Sequence, residues 1–147
     1  MLRSKPPFYA QEKSDSCLPA CLRMALAAKG VELSEEQLRE LCGWSPGGAV
    51  SSTNVVAAAR ALGFVRSRED YDLRLYDLRD LTRAGLFPIV GIDLTPYGQI
   101  GQHAQVVVAV TTRGVAVQDP MLGQFVTKLF VFEQAWQASE FLTILVE

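Results

Sequence analysis

One cysteine, one histidine and one aspartate in this chain are spaced so that together they can break an acyl bond. Cys17 lies in Gln11-Glu-Lys-Ser-Asp-Ser-Cys17-Leu-Pro-Ala-Cys21, just ahead of an apolar helical run. Pro19 places the helix start there, because proline lacks an N–H and fits the first turn, where that donor has no intrahelical partner. Ser14, Asp15 and Ser16 are all competent N-caps. Cys17 therefore belongs to the first turn, where unpaired N–H groups and the positive end of the helix dipole favour a thiolate, the nucleophilic form. A cysteine nucleophile needs a base to take its proton and return it to the leaving group. His103 is the only histidine in the chain. The imidazole in turn needs a third group to hold its tautomer. Asp119 is the candidate, because the Arg113-Gly114 turn folds its strand back beside that of His103 and brings both residues to one end of the hairpin.

The stretch around Cys17 resembles the active-site region of the C39 peptidases, papain-like cysteine proteases that remove double-glycine leaders from secreted peptides. That family carries a Gln, a Cys six residues later, and a small-apolar helix, here Gln11, Cys17 and Ala20-Cys21-Leu22-Arg23-Met24. It also carries a His opening a β-branched strand, then Asp-Pro-x-x-Gly about sixteen residues on. This chain has His103-Ala-Gln-Val-Val-Val and Asp119-Pro-Met-Leu-Gly123. The strand Gly85-Leu-Phe-Pro-Ile-Val and the Phe-x-x-x-Trp136 segment extend the likeness over almost the whole chain. The resemblance implies a papain-like α+β fold with Cys17 as nucleophile, His103 as base and Asp119 as orienting group. It further implies an oxyanion hole made by the Gln11 side chain and the Cys17 backbone N–H, with no cofactor and no metal. Leu18 stands where the family usually has glycine, so it is expected to narrow the substrate groove.

These residues must be positioned by a single domain spanning residues 1–147, long enough to bury a core without staples. The apolar share is 49% and the charged share 20%, as in ordinary globular proteins. A net charge of −2 with interspersed signs argues against a nucleic-acid partner. Arg66, Arg68, Arg74, Arg79 and Arg83 cluster among Glu69, Asp70, Asp72, Asp77 and Asp80, which reads as a solvated, ion-paired face. The amino terminus has no apolar signal region, and no run approaches the roughly 18 apolar residues that span a bilayer. Three irregularly spaced cysteines make no disulfide framework, so cytoplasmic surroundings are expected. Cys21 and Cys42 read as buried hydrophobes. A zinc site from Cys17, Cys21, Cys42 and His103 would lack any short knuckle spacing.

In chain order the pattern begins with an irregular arm at 1–10, pinned by Phe8 and Tyr9. Helices follow at 17–29, stopped by Gly30, and from a Ser34–Gln37 capping box to Leu41. A loop at 43–48 leads to a third helix from about Ser52 to Gly63, and Asp77 is expected to cap a fourth that stops at Gly85. Strands are expected at 87–94 with an interruption at Gly91, at 103–111, at 115–118, at 125–129 and at 141–146, with a helix at 132–139. The Val-Val-Val-Ala-Val run predicts burial on both faces of its strand. Helices first and an antiparallel sheet second is an α+β order, with the amino-terminal helices packed on the sheet. The loop Gly98-Gln-Ile-Gly101 leaves room for a ligand beside His103, so Gly101 and Gln102 join Leu18 as expected substrate contacts.

The expected activity is that of a cysteine endopeptidase acting on a peptide or protein, cutting after a small-residue, Gly-Gly type leader. Two alternatives use the same residues: a peptide-binding module without turnover, and an acyl transferase or amidase. Such binding modules typically lack the cysteine, so Cys17 counts against the first. The best-known C39 domains are fused to transporter membrane segments. This chain shows none, which leaves any transporter or secretion partner open.

Overall fold

The computed structural model describes residues 5–147; residues 1–4, the beginning of the expected arm, lie outside the described residues. Five α-helices and six strands follow in the order α1 (Cys17–Ala27), α2 (Glu35–Leu41), α3 (Ser52–Ala61), β1 (Arg68–Asp70), α4 (Leu75–Arg83), β2 (Ile89–Asp93), β3 (Gln102–Thr111), β4 (Gly114–Asp119), β5 (Gly123–Thr127), α5 (Leu129–Ala138) and β6 (Thr143–Leu145). A short 3-10 turn, Thr95–Tyr97, joins β2 to the loop before β3. The strands form one antiparallel sheet in the order β1-β6-β2-β3-β4-β5. The architecture is α+β.

Helices cover both faces of this sheet, one layer more than the sequence pattern suggested. On one face α1, α2 and α3 bury Leu22, Met24, Leu26, Leu38 and Val55 against Ile89, Ala104, Val106 and Ile144. On the other, Leu78 of α4 and Phe132, Ala135 and Trp136 of α5 pack against Val90, Ile92, Val107, Val115 and Val117. Adjacent strand residues such as Val106 and Val107 thus face opposite layers, as the period of two requires. The unbroken apolar run in β3 follows from this double burial.

The local signals operate much as the sequence suggests. Ser34 and Gln37 form the reciprocal capping box of α2, Ser51 caps α3 through the Asn54 N–H, and Gly30 takes a left-handed φ of +83° just past α1. Three expectations are corrected. Asp77 does not cap α4; it sits in the first turn and reaches back to accept the Arg74 N–H at 2.8 Å. Gly91 does not interrupt β2, which pairs through it with Ala104. A Cβ there would come within 2.8 Å of the Leu142 side chain, so glycine is needed for close packing. The charged run at 66–70 is not only a solvated face, because Arg68–Asp70 forms an edge strand on β6. Arg66 and Arg68 both pair with Glu147 there.

Candidate active site

Ser16 is the N-cap residue of α1, with Cys17 as its first helical residue. The Ser16 hydroxyl does not close the usual cap bond. It lies within hydrogen-bonding distance of the Lys13 carbonyl at 3.0 Å and the Glu35 carboxylate at 3.1 Å, while the Lys13 N–H donates to Ser16 Oγ at 3.0 Å. The first-turn N–H groups of α1 therefore have no side-chain cap from Ser16. Asp15 does not cap either. Its carboxylate accepts the Trp44 indole N–H at 2.9 Å and the Gly47 N–H at 3.1 Å, tying the 43–48 loop beside the helix start.

The β3–β4 hairpin supplies the other two groups. Val106 pairs with Gln118, and a bulge between Val107 and Ala109 adjusts the register toward the turn. His103 and Gln105, two apart on β3, project from one side of the strand, and both reach Asp119. His103 Nε2 lies 2.8 Å from Asp119 Oδ1, and Gln105 Nε2 donates to Oδ2 at 2.9 Å. Oδ1 also accepts the N–H groups of Met121 at 2.8 Å and Leu122 at 3.0 Å, so the same carboxylate closes the turn at Pro120. The one carboxylate thus bonds both the imidazole and the turn.

Nε2 is committed to Asp119, and Cys17 borders the same cleft as the imidazole, close enough for the two side chains to interact. The His103 side chain is only 7% exposed and that of Asp119 1%. Burial pushes the imidazole toward its neutral form, but the hydrogen bonds to Asp119 and Cys17 and the charges of both outweigh it. His103 is raised to about 9. Burial likewise disfavours the Asp119 carboxylate, and the bonds from His103, Gln105 and Met121 overcome it, leaving Asp119 below its ordinary value. The other two cysteines are set apart from this chemistry. Burial drives Cys21 well up, with further repulsion from Cys17 and Asp119, and burial raises Cys42 to about 11.

A cleft of about 160 Å³ opens beside Cys17 and His103, walled by Leu18, Val50, Ala104 and Leu142, with Asp15 and Gln102 at its polar side. Leu18 and Gln102 both line this cleft. The Gln102 amide is held at both ends: Nε2 donates to Asp93 at 2.7 Å and Oε1 accepts from Ser139 at 2.7 Å. Gly101 does not line the cleft, a correction to its expected substrate contact. Its φ of +123° makes a turn, and its carbonyl accepts the Leu94 N–H at 2.9 Å.

Gln11 lies on the segment leading to Cys17. Its backbone N–H donates to the Pro120 carbonyl at 2.8 Å, next to Asp119, and its side-chain Nε2 donates to the Lys13 carbonyl at 2.7 Å. Asp15, Gln105, Glu35 and Leu142 all shape this region, and sequence reasoning missed these roles. Their surroundings come from residues far away in the chain, which no local pattern reports. Among the described residues, no three or more His, Cys, Asp or Glu side chains are arranged to hold a metal ion. Nor is any described helix long and apolar enough to cross a membrane.

The sequence profile of the Peptidase C39 family matches residues 5–145. No curated protein matches the chain significantly in sequence. Among solved structures, the peptidase domain of Streptococcus ComA, a bifunctional ABC transporter of a quorum-sensing pathway, is 26% identical. The match has a TM-score of 0.77 and covers 97% of this chain and 98% of that one. The corresponding domain of Streptococcus mutans ComA is 25% identical with a TM-score of 0.65, covering 93% and 95%. The double-glycine-motif protease of an AMS/PCAT transporter, solved with its leader peptide, has the same fold at 22% identity. Its TM-score is 0.74, with coverage of 97% and 91%.

Proposed function

The chain belongs to the Peptidase C39 family and is a peptidase, and from that premise we propose that it is a cysteine endopeptidase working through Cys17, His103 and Asp119. The observation that carries the reading is the convergence itself. A helix-start sulfur and an imidazole border one cleft, and the imidazole is hydrogen-bonded to a buried carboxylate, the three coming from segments 86 and 16 residues apart. In the first half-reaction the Cys17 sulfur attacks the scissile carbonyl carbon and a C–S bond forms. The carbonyl oxygen becomes an oxyanion, held by the Cys17 backbone N–H and a Gln11 amide hydrogen. His103, carrying the proton, delivers it to the leaving amine as the C–N bond breaks. Water then attacks the thioester, giving its proton to His103, and the acid product leaves with the thiol restored. Asp119 keeps the imidazole in register through both halves.

The substrate class follows from the cleft and from the leader-bound relative. Leu18, Val50 and Leu142 crowd the space beside the sulfur, which favours small residues next to the cut. A peptide with Gly-Gly before the scissile bond is expected to be cleaved faster than the same peptide with Leu-Leu, chiefly in kcat/KM. Excluding the larger side chain acts on transition-state binding. Leu18→Gly should widen acceptance without abolishing turnover, because Leu18 has no chemical role. Steady-state kinetics on the paired peptides checks both statements. Equal rates on the two, or a folded but inert Leu18→Gly protein, would contradict leader-type specificity. If neither peptide is cut by a protein whose Cys17 is reactive, an acyl-transfer or amidase reaction is the better reading. Peptides would be presented to this domain by a secretion partner, as its transporter relatives suggest, and a cytoplasmic site of action fits that arrangement.

A further inference from the structure

Resting on the roles of Cys17 and Gln11 above, we propose that Glu35 is a positioning residue for the oxyanion donor, acting through Ser16 and Lys13 on the Gln11 amide. Glu35 opens α2 and is fully buried. A carboxylate is retained in that state only where charge and hydrogen bonds are matched. Its Oε1 accepts the Glu12 N–H at 2.9 Å and the Ser16 hydroxyl at 3.1 Å. Its Oε2 accepts Arg39 Nη1 at 3.0 Å, and Arg39 also reaches Glu12 at 3.4 Å. The two donors to Oε1 belong to the residue after Gln11 and the residue before Cys17. One carboxylate oxygen therefore clamps both ends of the segment that separates the oxyanion donor from the nucleophile.

The clamp is connected to the amide by a short relay. The Ser16 hydroxyl faces both the Lys13 carbonyl at 3.0 Å and Glu35 Oε1 at 3.1 Å; the carboxylate is the stronger acceptor and takes its hydrogen, and Ser16 Oγ accepts the Lys13 N–H at 3.0 Å. The Lys13 carbonyl accepts Gln11 Nε2 at 2.7 Å. Gln11 Oε1 is buried and has no partner. Turning the amide over would set that oxygen against the Lys13 carbonyl, acceptor to acceptor, so the orientation is determined. Nε2 then has one hydrogen on Lys13 and a second left for the oxyanion. An apolar residue at position 35 would pack α2 against its neighbours. It would not set the direction of this amide.

A double-mutant cycle in the full chain separates this role from a merely structural one. Ser16→Ala cuts the link between clamp and relay at little steric cost. It should lower kcat on a Gly-Gly peptide by about tenfold, the scale expected when a catalytic donor is misplaced. KM and the rate of Cys17 alkylation by iodoacetamide should both stay within about twofold, because neither needs the oxyanion donor. In a Gln11→Ala background the same substitution should cost nothing further. Glu35→Gln should follow Ser16→Ala, since the Arg39 guanidinium draws the amide oxygen to itself and the N–H₂ is then turned toward Glu12 and Ser16, which lose their acceptor. Should Glu35→Gln fail to fold by circular dichroism, Ser16→Ala decides. An unchanged kcat in Ser16→Ala, or an equal loss with and without Gln11, overturns the proposal while Cys17-dependent turnover leaves the peptidase reading intact. Turnover that survives Cys17→Ala overturns both.

Discussion

Cys17→Ala and His103→Ala are each expected to lower kcat by about 10,000-fold or more, the scale seen when a member of a nucleophile–base pair is removed. Neither change should unfold the protein. Alanine is a good helix former at the first position of α1, and the partly exposed Cys17 side chain leaves no deep cavity. Without His103, Asp119 keeps three donors, from Gln105, Met121 and Leu122, so its buried charge is not stranded. Peptide turnover measured beside far-UV circular dichroism checks both statements. Full activity in folded Cys17→Ala would mean that another group is the nucleophile.

Asp119→Asn should lower kcat by about 1,000- to 10,000-fold and leave measurable activity, because the residue orients the ring and does not itself carry the proton away. The amide can still accept from one side, but it presents an N–H₂ where His103 or Gln105 now donates. The pH profile should change with it. In the wild type, burial lowers His103, and the bonds and charges of Asp119 and Cys17 raise it to about 9. The protonated imidazole is the acid for the leaving amine, so turnover should fall as pH rises through about 9. Removing the Asp119 charge deletes part of what holds the proton on the ring. The alkaline limb should therefore move to lower pH in Asp119→Asn. A limb that stays in place would mean that Asp119 serves only the turn at Pro120. The same shift makes the imidazolium a contributor to stability. That contribution is fully present below the ordinary imidazole range and lost as pH climbs through about 9.

That Cys17, His103 and Asp119 would come together was legible in the sequence because the signals are rare and local. The chain has one histidine, one cysteine at a proline-marked helix start, and an Asp-Pro turn at the far end of a hairpin. The elements around them were legible for the same reason, since the Ser34–Gln37 box and Gly30 act within a few residues. What escaped is non-local. Glu35, Gln105 and Asp15 look like solvated residues in any window. They are engaged, and the first two fully buried, only because Ser16, Asp119 and Trp44 arrive from elsewhere in the chain. β1 is a three-residue charged edge whose partner lies more than 70 residues away, so no alternation in it could announce a strand. Gly91 read as a break because its reason is a leucine about 50 residues on. The second helical layer, too, depends on which face of each strand α4 and α5 cover, and periodicity alone does not assign faces.

The central claim is that Cys17, and neither of its two companions, is held ready for attack. Alkylation of the folded protein with limiting iodoacetamide near neutral pH, mapped by mass spectrometry to each cysteine, tests it most directly. Cys17 borders the cleft beside an imidazole whose pKa is raised to about 9, whereas Cys21 and Cys42 are buried with raised thiol values. Cys17 should therefore carry nearly all the label before the other two react, and His103→Ala should slow that labelling. Equal, slow labelling of all three cysteines in the folded protein would contradict the account.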